Sequence, residues 1–313
     1  MRLATFETGS GPRLGAVVDG DRRVVDLAAA FRRRFGRVEE PLTSMAAFIA
    51  AGPRARELAG PLVADPPAED VLDLGGVTLL APLPEPSQIR DFLCFEEHLR
   101  NAFDRADRLT GGKTEIPAVW YEQPIYYKAN RFSVVGPGAD IRWPSYAELL
   151  DYELELACVI GTGGVDISRE RALDHVFGWT IFNDVSARDA QLKEMAGHLG
   201  PAKGKDFDTG NVFGPWIVTA DELGDPHSLT MVARVNGEEW SRGSSASMHH
   251  RFDDVIAFVS RSETLHPGEV LGSGTVGTGC GLELGRFLAP GDVVELEVER
   301  IGILRNRIVR HGR

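Results

Sequence analysis

The sequence has few cysteines, a deficit of positive charge and no long apolar run. Its three cysteines form no CxxC pair, so a disulfide framework or a thiolate zinc site is not expected, and a reducing cytoplasm is the predicted location. Lys and Arg number 34 against 46 Asp and Glu, and no basic stripe is present, which argues against a nucleic-acid partner. No segment approaches the roughly 20 apolar residues of a membrane-spanning helix, so no membrane partner is expected either.

What is present suits a globular protein of 313 residues, 43% of them hydrophobic, which is enough for a sizeable core. Strand-like segments near the N-terminus, followed by two helical stretches, predict a small α+β domain over residues 1–75. A proline-rich segment at 81–88 follows, and we assign residues 76–313 to a second, catalytic domain.

The second domain reads as mainly β with short helices. Strands are predicted around 152–160, 179–182, 216–219 and 229–235, with a hairpin turn at Asn236-Gly237. Helices are predicted over 96–108 and 251–260. Because strands and helices do not alternate regularly, a doubly wound parallel sheet is disfavoured.

An acidic strand, LDYELELACVIG at 150–161, is the most informative segment. Alternation along a strand would place Asp151, Glu153 and Glu155 on one face, which becomes apolar further along the strand. Converging carboxylates of this kind suit a hard divalent cation. The spacing also describes a solvated strand edge. On the spacing alone, the solvated edge is the better interpretation.

A second polar segment, NDVSARDAQ at 183–191, follows an apolar stretch that predicts a buried strand. If Asp184 caps a helical turn, Asp184, Arg188 and Gln191 lie on one face, as in a site for an oxo-acid. An N-cap with an ordinary i,i+4 ion pair also accounts for the segment, and on this segment alone it is the better interpretation.

Five motifs in order resemble the fumarylacetoacetate hydrolase family across most of residues 88–309. They are RDFLCFEEH at 90–98, DYELELA at 151–157, NDVSARDAQ at 183–191, GKDFDTGNVFGPW at 204–216 and GSGTVGTGCGLEL at 272–284. The resemblance implies a layered β-roll with short helices, preceded by the small N-terminal domain, and assembly as a homodimer. Residues 272–277 also spell GxGxxG, but no helix is expected to follow, so a dinucleotide site is not predicted.

The resemblance also implies a metal site and a set of reactive side chains. The metal would be Mg²⁺, or else Mn²⁺ or Ca²⁺, and its implied ligands are Asp91, Glu153, Glu155 and Asp184. The implied catalytic residues are the general base His98, its partner Glu283, and Lys205. The implied substrate-binding residues are Arg188, Gln191, Tyr127 and Thr275. Shorter members of the family carry a glutamate where this chain has Asn101, which is why we assign Glu283 as the partner of His98.

The activity implied is hydrolysis of a C–C bond in an acylpyruvate or other 1,3-dicarbonyl oxo-acid through a metal-bound enolate. Decarboxylation, isomerisation and hydration of oxo-acids, of the oxaloacetate or 2-oxohept-3-ene-1,7-dioate type, are the alternatives on the same scaffold. Leu93 stands where a tyrosine is common in the family, which argues against fumarylacetoacetate itself as substrate. A non-enzymatic Ca²⁺-binding β module would explain the acidic strand but not Lys205, Arg188 and Gln191.

Overall fold

The computed structural model describes residues 1–9, 11–111 and 113–310, and it is mainly β with short helices, as predicted. Residues 311–313 of the predicted catalytic domain lie outside the described residues. The strands are β1 (Arg2–Glu7), β2 (Pro12–Val18), β3 (Arg23–Asp26), β4 (Val71–Asp73), β5 (Thr78–Leu79), β6 (Gln88–Phe92), β7 (Tyr126–Ala129), β8 (Val134–Val135), β9 (Asp140–Arg142), β10 (Leu150–Asp151), β11 (Leu154–Ile160), β12 (Val176–Asp184), β13 (Ser186–Ala187), β14 (Asn211–Thr219), β15 (Thr230–Val235), β16 (Glu238–Ser244), β17 (Glu269–Gly272), β18 (Val293–Val298) and β19 (Gly302–Val309).

The helices are short and lie between strands. They are α1 (Leu27–Phe35), α2 (Met45–Ala51), α3 (Pro53–Ala64), α4 (Glu96–Thr110), α5 (Ala118–Glu122), α6 (Arg188–Met195), α7 (Ala220–Leu223), α8 (Phe252–Val259) and α9 (Gly281–Leu284). Single 3₁₀ turns cover Glu40–Leu42, Ala68–Asp70, Leu74–Gly76, Pro226–Ser228 and Ser245–Ser247, and a longer 3₁₀ segment covers Arg169–His175. The helices predicted over 96–108 and 251–260 are confirmed as α4 and α8.

The first two helices begin at capping side chains. Asp26 precedes α1, and its Oδ1 accepts a hydrogen bond of 2.9 Å from the amide of Ala29. Ser44 precedes α2 in the same way and accepts from Ala47. An N-cap oxygen of this kind satisfies one of the helix's unpaired amides, and it fixes the start of α2 at Met45.

One large sheet forms the centre of the molecule. Its strands run in the order β4-β3-β2-β1-β14-β12-β11-β17-β6-β7, with β5 beside β1 and β8 beside β14. Most neighbours are antiparallel, while β6 pairs in parallel with β17 and β8 with β14. In this order β17 lies between β6 and β11, and β12 lies on the other side of β11.

A second sheet packs against the first and carries the predicted hairpin. Its order is β16-β15-β18-β19-β9. The turn between β15 and β16 has Asn236 at φ 53° and Gly237 at φ 79°, both in the left-handed region that an Asn-Gly hairpin favours. The predicted hairpin is thus confirmed.

The central strand β11 separates two hydrophobic cores. Leu156 and Cys158 point into the core beneath the second sheet. Ala157 and Val159 point to the opposite side, into a core shared with the N-terminal helices. Glu155 precedes Ala157 on that side by the alternation of a strand, so its carboxylate lies at the border of a dry region.

The N-terminal unit is continuous with the large sheet. Leu3 in β1 pairs with Ile217 in β14, so strands from both sides of the predicted boundary belong to one sheet. The division at residues 75 and 76 remains a prediction. Within the described ranges, no helix combines the length and apolar character needed to cross a membrane.

The acidic segment is not one continuous strand. Asp151 ends β10, which pairs with β13, and β11 begins only at Leu154. The predicted strand over 152–160 was therefore wrong at its start. The break lets Asp151 turn towards the backbone of α9, while Glu153 and Glu155 face the centre of the sheet.

Candidate active site

Three carboxylates converge at the centre of the large sheet. Asp91 lies near the end of β6, Glu155 near the start of β11, and Asp184 at the end of β12. Each contributes one oxygen to a group whose atoms all lie within 4.8 Å of one another. All three side chains are buried, with exposures of 5% or less.

This group contains buried carboxylate oxygens that have no hydrogen-bond partner in the described part of the chain and that a cation could coordinate. Asp91 Oδ1, Glu155 Oε1 and Asp184 Oδ1 are buried and have no hydrogen-bond partner among the described residues. Burial raises the pKa of Asp91 well above its ordinary value, and the charge of Asp184 raises it further. Burial and the neighbouring Asp91 carboxylate likewise raise the pKa of Glu155 well above its ordinary value.

A divalent ion would compensate both the unpaired oxygens and the repulsion between the carboxylates. It would coordinate the unpaired oxygens and offset the mutual repulsion of the carboxylates. An all-oxygen ligand set favours a hard ion such as Mg²⁺, Mn²⁺ or Ca²⁺ over zinc. Asp91, Glu155 and Asp184 therefore fit the predicted metal, and the solvated-edge interpretation of the acidic segment is wrong, because Asp151, Glu153 and Glu155 are all buried.

Metal binding at this group should strengthen as pH rises. The pKa values of Asp91 and Glu155 are higher in the folded protein than in the unfolded protein. The metal-free protein therefore loses stability as the pH rises from the unfolded pKa values through the folded ones. A metal ion needs the deprotonated carboxylates, so its stabilisation grows over the same range. A free-ion concentration a hundred times Kd would contribute about 2.7 kcal/mol.

The measurement is the melting temperature with and without MnCl₂, at about pH 5.5 and about pH 8. The increase produced by the ion should be several degrees at the higher pH and smaller at the lower. Equal increases at both values would show that protonation of these carboxylates does not compete with the ion.

A glycine-rich segment lets the backbone approach this group closely. A Cβ on Gly272 would lie 2.5 Å from Asp91 Oδ1 and 2.9 Å from Glu155 Oε2. The amide of Gly274, at φ 74°, donates to Glu155 Oε2 at 3.2 Å. Thr275 follows in the same segment and is buried. The first helix after this glycine-rich segment is α9, which begins at Gly281.

Replacing Gly272 with alanine should weaken metal binding, and the new Cβ would also crowd the buried Phe182 ring, whose Cδ1 would lie 2.9 Å away. The added methyl group would displace two of the three carboxylates, and we expect the affinity for Mn²⁺ to fall by roughly tenfold or more. Titration calorimetry measures the change. Gly60→Ala is the control, because a Cβ there meets nothing within 4 Å and should leave the affinity unchanged.

Glu153 is held by two cations. Its Oε1 lies 2.7 Å from an Arg188 guanidinium nitrogen, and its Oε2 accepts from Lys205 Nζ at 2.7 Å. Burial opposes the charged form, but Arg188 and Lys205 outweigh it and hold the pKa of Glu153 well below the usual range. Both oxygens of Glu153 are thus already paired, and the role of Glu153 as a metal ligand remains a prediction.

Asp184 is linked to the same network. Its Oδ2 accepts from Lys205 Nζ at 2.5 Å and from the Tyr127 hydroxyl at 2.7 Å. Burial disfavours the Lys205 ammonium, but Asp184 and Glu153 outweigh it and raise the pKa of Lys205 above its ordinary value. Lys205 therefore stays charged beside the metal group, and Tyr127 positions Asp184.

Arg188 connects the network to a residue that the sequence analysis left without a role. Its Nε donates to Asp151 Oδ2 at 2.9 Å, and another of its nitrogens donates to Gln191 Oε1 at 2.9 Å. Asp151 Oδ1 also accepts from the amide of Gly281, and its Oδ2 from that of Leu282. Asp151 thus ties Arg188 to the start of α9. The position of Asp151 beside Glu153 in the DYELE motif is the sequence feature that could have indicated this role.

The predicted helical face of Asp184, Arg188 and Gln191 is wrong. Asp184 ends β12, where it pairs with Asn211 in β14, and α6 begins only at Arg188. Asp184 and Arg188 meet instead through Glu153 and Lys205. Arg188 and Gln191 do share a turn of α6, as predicted.

The second group is a histidine–carboxylate pair in which the histidine lies in the first turn of α4. His98 Nδ1 lies 2.8 Å from Glu283 Oε1, and both side chains are buried. Glu283 Oε2 accepts from the side chain of Asn101 at 2.8 Å and from the amide of Thr278 at 2.7 Å. The predicted partners are therefore in contact, and Asn101 supports the carboxylate. With Nδ1–H donating to Glu283, the other ring nitrogen, Nε2, is the basic one.

The two groups lie next to each other. Glu153 and Cys280 form an isolated β-bridge, so the segment that leads into α9 runs beside the acidic strand. The charge of His98 also contributes to the lowered pKa of Glu153. The carboxylate group and the His98–Glu283 pair therefore lie beside each other.

Comparison with known proteins agrees with this geometry. The model of a protein family described as fumarylacetoacetate (FAA) hydrolase C-terminal matches residues 87–309. The chain belongs to the fumarylacetoacetate hydrolase family. The resemblance predicted over residues 88–309 is thereby confirmed.

Full-length relatives extend the likeness through the N-terminal unit. An oxaloacetate tautomerase of Bacillus subtilis is 34% identical over 320 residues, which cover 98% of this chain and 100% of the relative. A mitochondrial oxaloacetate tautomerase of Xenopus laevis is 32% identical over 312 residues, covering 99% of this chain and 90% of the relative. A fumarylacetoacetate hydrolase from Exiguobacterium antarcticum has the same fold, with a TM-score of 0.76, 30% identity and coverage of 99% and 100%.

These members of the family are named as enzymes, but their reactions differ. The likeness therefore supports an enzyme of this family and does not decide between a hydrolase and a tautomerase. The Ca²⁺-binding module considered above is disfavoured, because Lys205 and Arg188 are buried against the carboxylates of the same site.

Proposed function

We propose that the protein is a divalent-metal-dependent tautomerase that interconverts the enol and keto forms of a small 2-oxo dicarboxylate of the oxaloacetate class. The observation that carries the proposal is the buried His98–Glu283 pair beside the carboxylate group of Asp91, Glu155 and Asp184. The full-length relatives named oxaloacetate tautomerase support the substrate class.

The reaction needs one proton moved between carbon and oxygen. In the keto-to-enol direction, His98 Nε2 takes a proton from the carbon next to the oxo group, and the oxygen gains a proton as the enol forms. Glu283, anchored by Asn101 and Thr278, stabilises the imidazolium and keeps the basic nitrogen directed away from itself. A divalent ion held by Asp91, Glu155 and Asp184 would supply a Lewis acid for the oxo-acid oxygens.

The substrate's charge would be met by donors on α6. Arg188 donates a hydrogen bond to the side-chain oxygen of Gln191. The NH₂ group of the Gln191 side chain then remains available to donate to a carboxylate of the substrate. The Lys205 ammonium adds positive charge where negative charge develops on the substrate oxygen.

The alternative is the C–C hydrolase predicted from the sequence. The same His98–Glu283 pair could take a proton from water, which would then attack a carbonyl of an acylpyruvate. Cleavage of the C–C bond gives an acid and an enolate, and protonation of the enolate gives pyruvate. The histidine–carboxylate geometry favours this reaction over decarboxylation, which needs no activated water.

The test follows enol absorbance after oxaloacetate is added to the Mn²⁺-loaded protein. A tautomerase should speed the approach to enol–keto equilibrium without changing total oxaloacetate, and chelation of the metal should abolish the effect. No acceleration over buffer would overturn the proposal. Release of acid and pyruvate from a panel of acylpyruvates would support the hydrolase, and conversion of oxaloacetate to pyruvate and CO₂ would support a decarboxylase.

Assembly as a homodimer, implied by the family resemblance, is part of the same proposal. Light scattering coupled to gel filtration should give a molar mass about twice that of the chain. A monomer at the concentration used in the assay would contradict it.

A further inference from the structure

Cys280 lies against the His98–Glu283 pair and has no part in the proposed reaction. Its Sγ is 3.4 Å from Glu283 Oε1 and 4.0 Å from His98 Nδ1. His98 Nδ1 and Glu283 Oε1 are themselves 2.8 Å apart. A nitrogen, a sulfur and an oxygen thus form a small triangle in a buried wall of the site.

The size of this triangle suits a tetrahedral zinc ion. Zinc bonds of about 2.0–2.1 Å to nitrogen and oxygen and about 2.3 Å to sulfur require donor separations of roughly 3.3–3.6 Å. The three observed separations bracket that range, so small side-chain rotations would bring the donors into position. We propose that His98, Cys280 and Glu283 form a second metal site, which takes a thiophilic divalent ion such as Zn²⁺ and inhibits the enzyme.

The charges balance at such a site. A divalent ion with one thiolate, one carboxylate and one neutral imidazole is neutral overall, so it can be buried without a further counter-ion. Binding releases the Cys280 thiol proton to solvent. The proton on His98 Nδ1 moves to Nε2 as Nδ1 becomes a ligand.

That change of tautomer is the reason for inhibition. With Nδ1 on the ion and a proton on Nε2, His98 can no longer accept a proton from a substrate. The two metal sites also differ in chemistry. The carboxylates of Asp91, Glu155 and Asp184 favour hard ions, whereas a site with thiolate and imidazole favours softer ones.

The decisive experiment uses the full-length protein with excess Mg²⁺ and titrates it with Co²⁺ as a spectroscopic substitute for zinc. A sulfur-to-cobalt charge-transfer band should appear at one equivalent, because only a thiolate ligand produces it. The band should be lost in Cys280→Ser and kept in Cys94→Ser and Cys158→Ser, which remove the other two buried cysteines. Absence of the band in the unsubstituted protein would overturn the proposal, as would a band that survives in Cys280→Ser.

The inhibitory effect rests on the proposed function and has its own measurement. For each protein we take the Zn²⁺ concentration that halves its own zinc-free rate at excess Mg²⁺. This concentration should be higher in Cys280→Ser than in the unsubstituted protein by roughly tenfold or more. Unchanged inhibition would place the inhibiting zinc at the carboxylate site instead. The cobalt spectrum needs no substrate, so it still tests the metal site if the proposed reaction proves wrong.

Discussion

Replacing His98 with glutamine should lower turnover by roughly 10²–10⁴-fold, the usual contribution of a general base. Glutamine can still accept and donate hydrogen bonds near Glu283, but it cannot take a proton from carbon or from water. The expected loss is in kcat, with a smaller change in KM, because the metal group and the α6 donors remain. Steady-state kinetics with saturating Mn²⁺ measure it.

Two further variants show whether the loss reflects proton transfer. Glu283→Gln should lower turnover within a similar range, because an amide can donate to Nδ1 and so favour the tautomer whose Nε2 is already protonated. His266→Gln is the matched control, since His266 is exposed. It should leave turnover unchanged.

The same variant separates the candidate reactions. Both tautomerisation and hydrolysis need a base at His98, whereas decarboxylation can proceed with the metal ion alone. A His98→Gln protein that keeps most of its turnover on oxaloacetate would therefore contradict the proton-transfer role of His98 and favour a decarboxylase.

The sequence predicted which side chains come together better than how they are arranged. Asp91 and His98 lie far from Glu283 along the chain, and only the ordered motifs indicated that all three belong to one site. Periodicity alone favoured a solvated edge for the acidic strand, because short alternations of charge are common on solvated strand faces. Burial is decided by the neighbouring strands, which the local sequence does not specify.

The error over Asp184 has a physical cause. The spacing of Asp184, Arg188 and Gln191 matches a helical face, but the backbone of Asp184 is held by strand pairing with Asn211. The pairing of Leu3 with Ile217 is likewise absent from the local sequence pattern. In both cases a partner distant in sequence decides the pairing, and short-range patterns contain no information about it.

The structure also divides the acidic residues by their surroundings. Asp151 and Glu153 are paired with cations, so they are compensated without a metal. Asp91 and Glu155 have no such partner within the ranges that the structure describes, and burial with neighbouring carboxylates raises the pKa of both well above the ordinary value. Burial also raises the pKa of Asp151, which Arg188 opposes, whereas the pKa of Glu153 is lowered. This division predicts opposite effects for two neighbouring glutamates of one motif.

Glu155→Gln should make the metal-free protein more stable near neutral pH. A carboxylate whose folded pKa is raised costs stability above its unfolded pKa, and an amide removes that cost. The same variant should lose the metal-induced rise in melting temperature, because one of three ligands is gone, and it should lose activity with it. Thermal unfolding with and without Mn²⁺ measures both effects.

Glu153→Gln should do the reverse to the metal-free protein. The pKa of Glu153 is lowered, so its charge contributes stability above the unfolded pKa, and that contribution disappears in the variant. Arg188 and Lys205 would each lose a buried partner, a change that typically costs about 3–5 kcal/mol. If both variants destabilised the metal-free protein equally, the carboxylates would not be divided as the contacts indicate. Groups of the protein itself would then have to compensate Glu155 as well as Glu153.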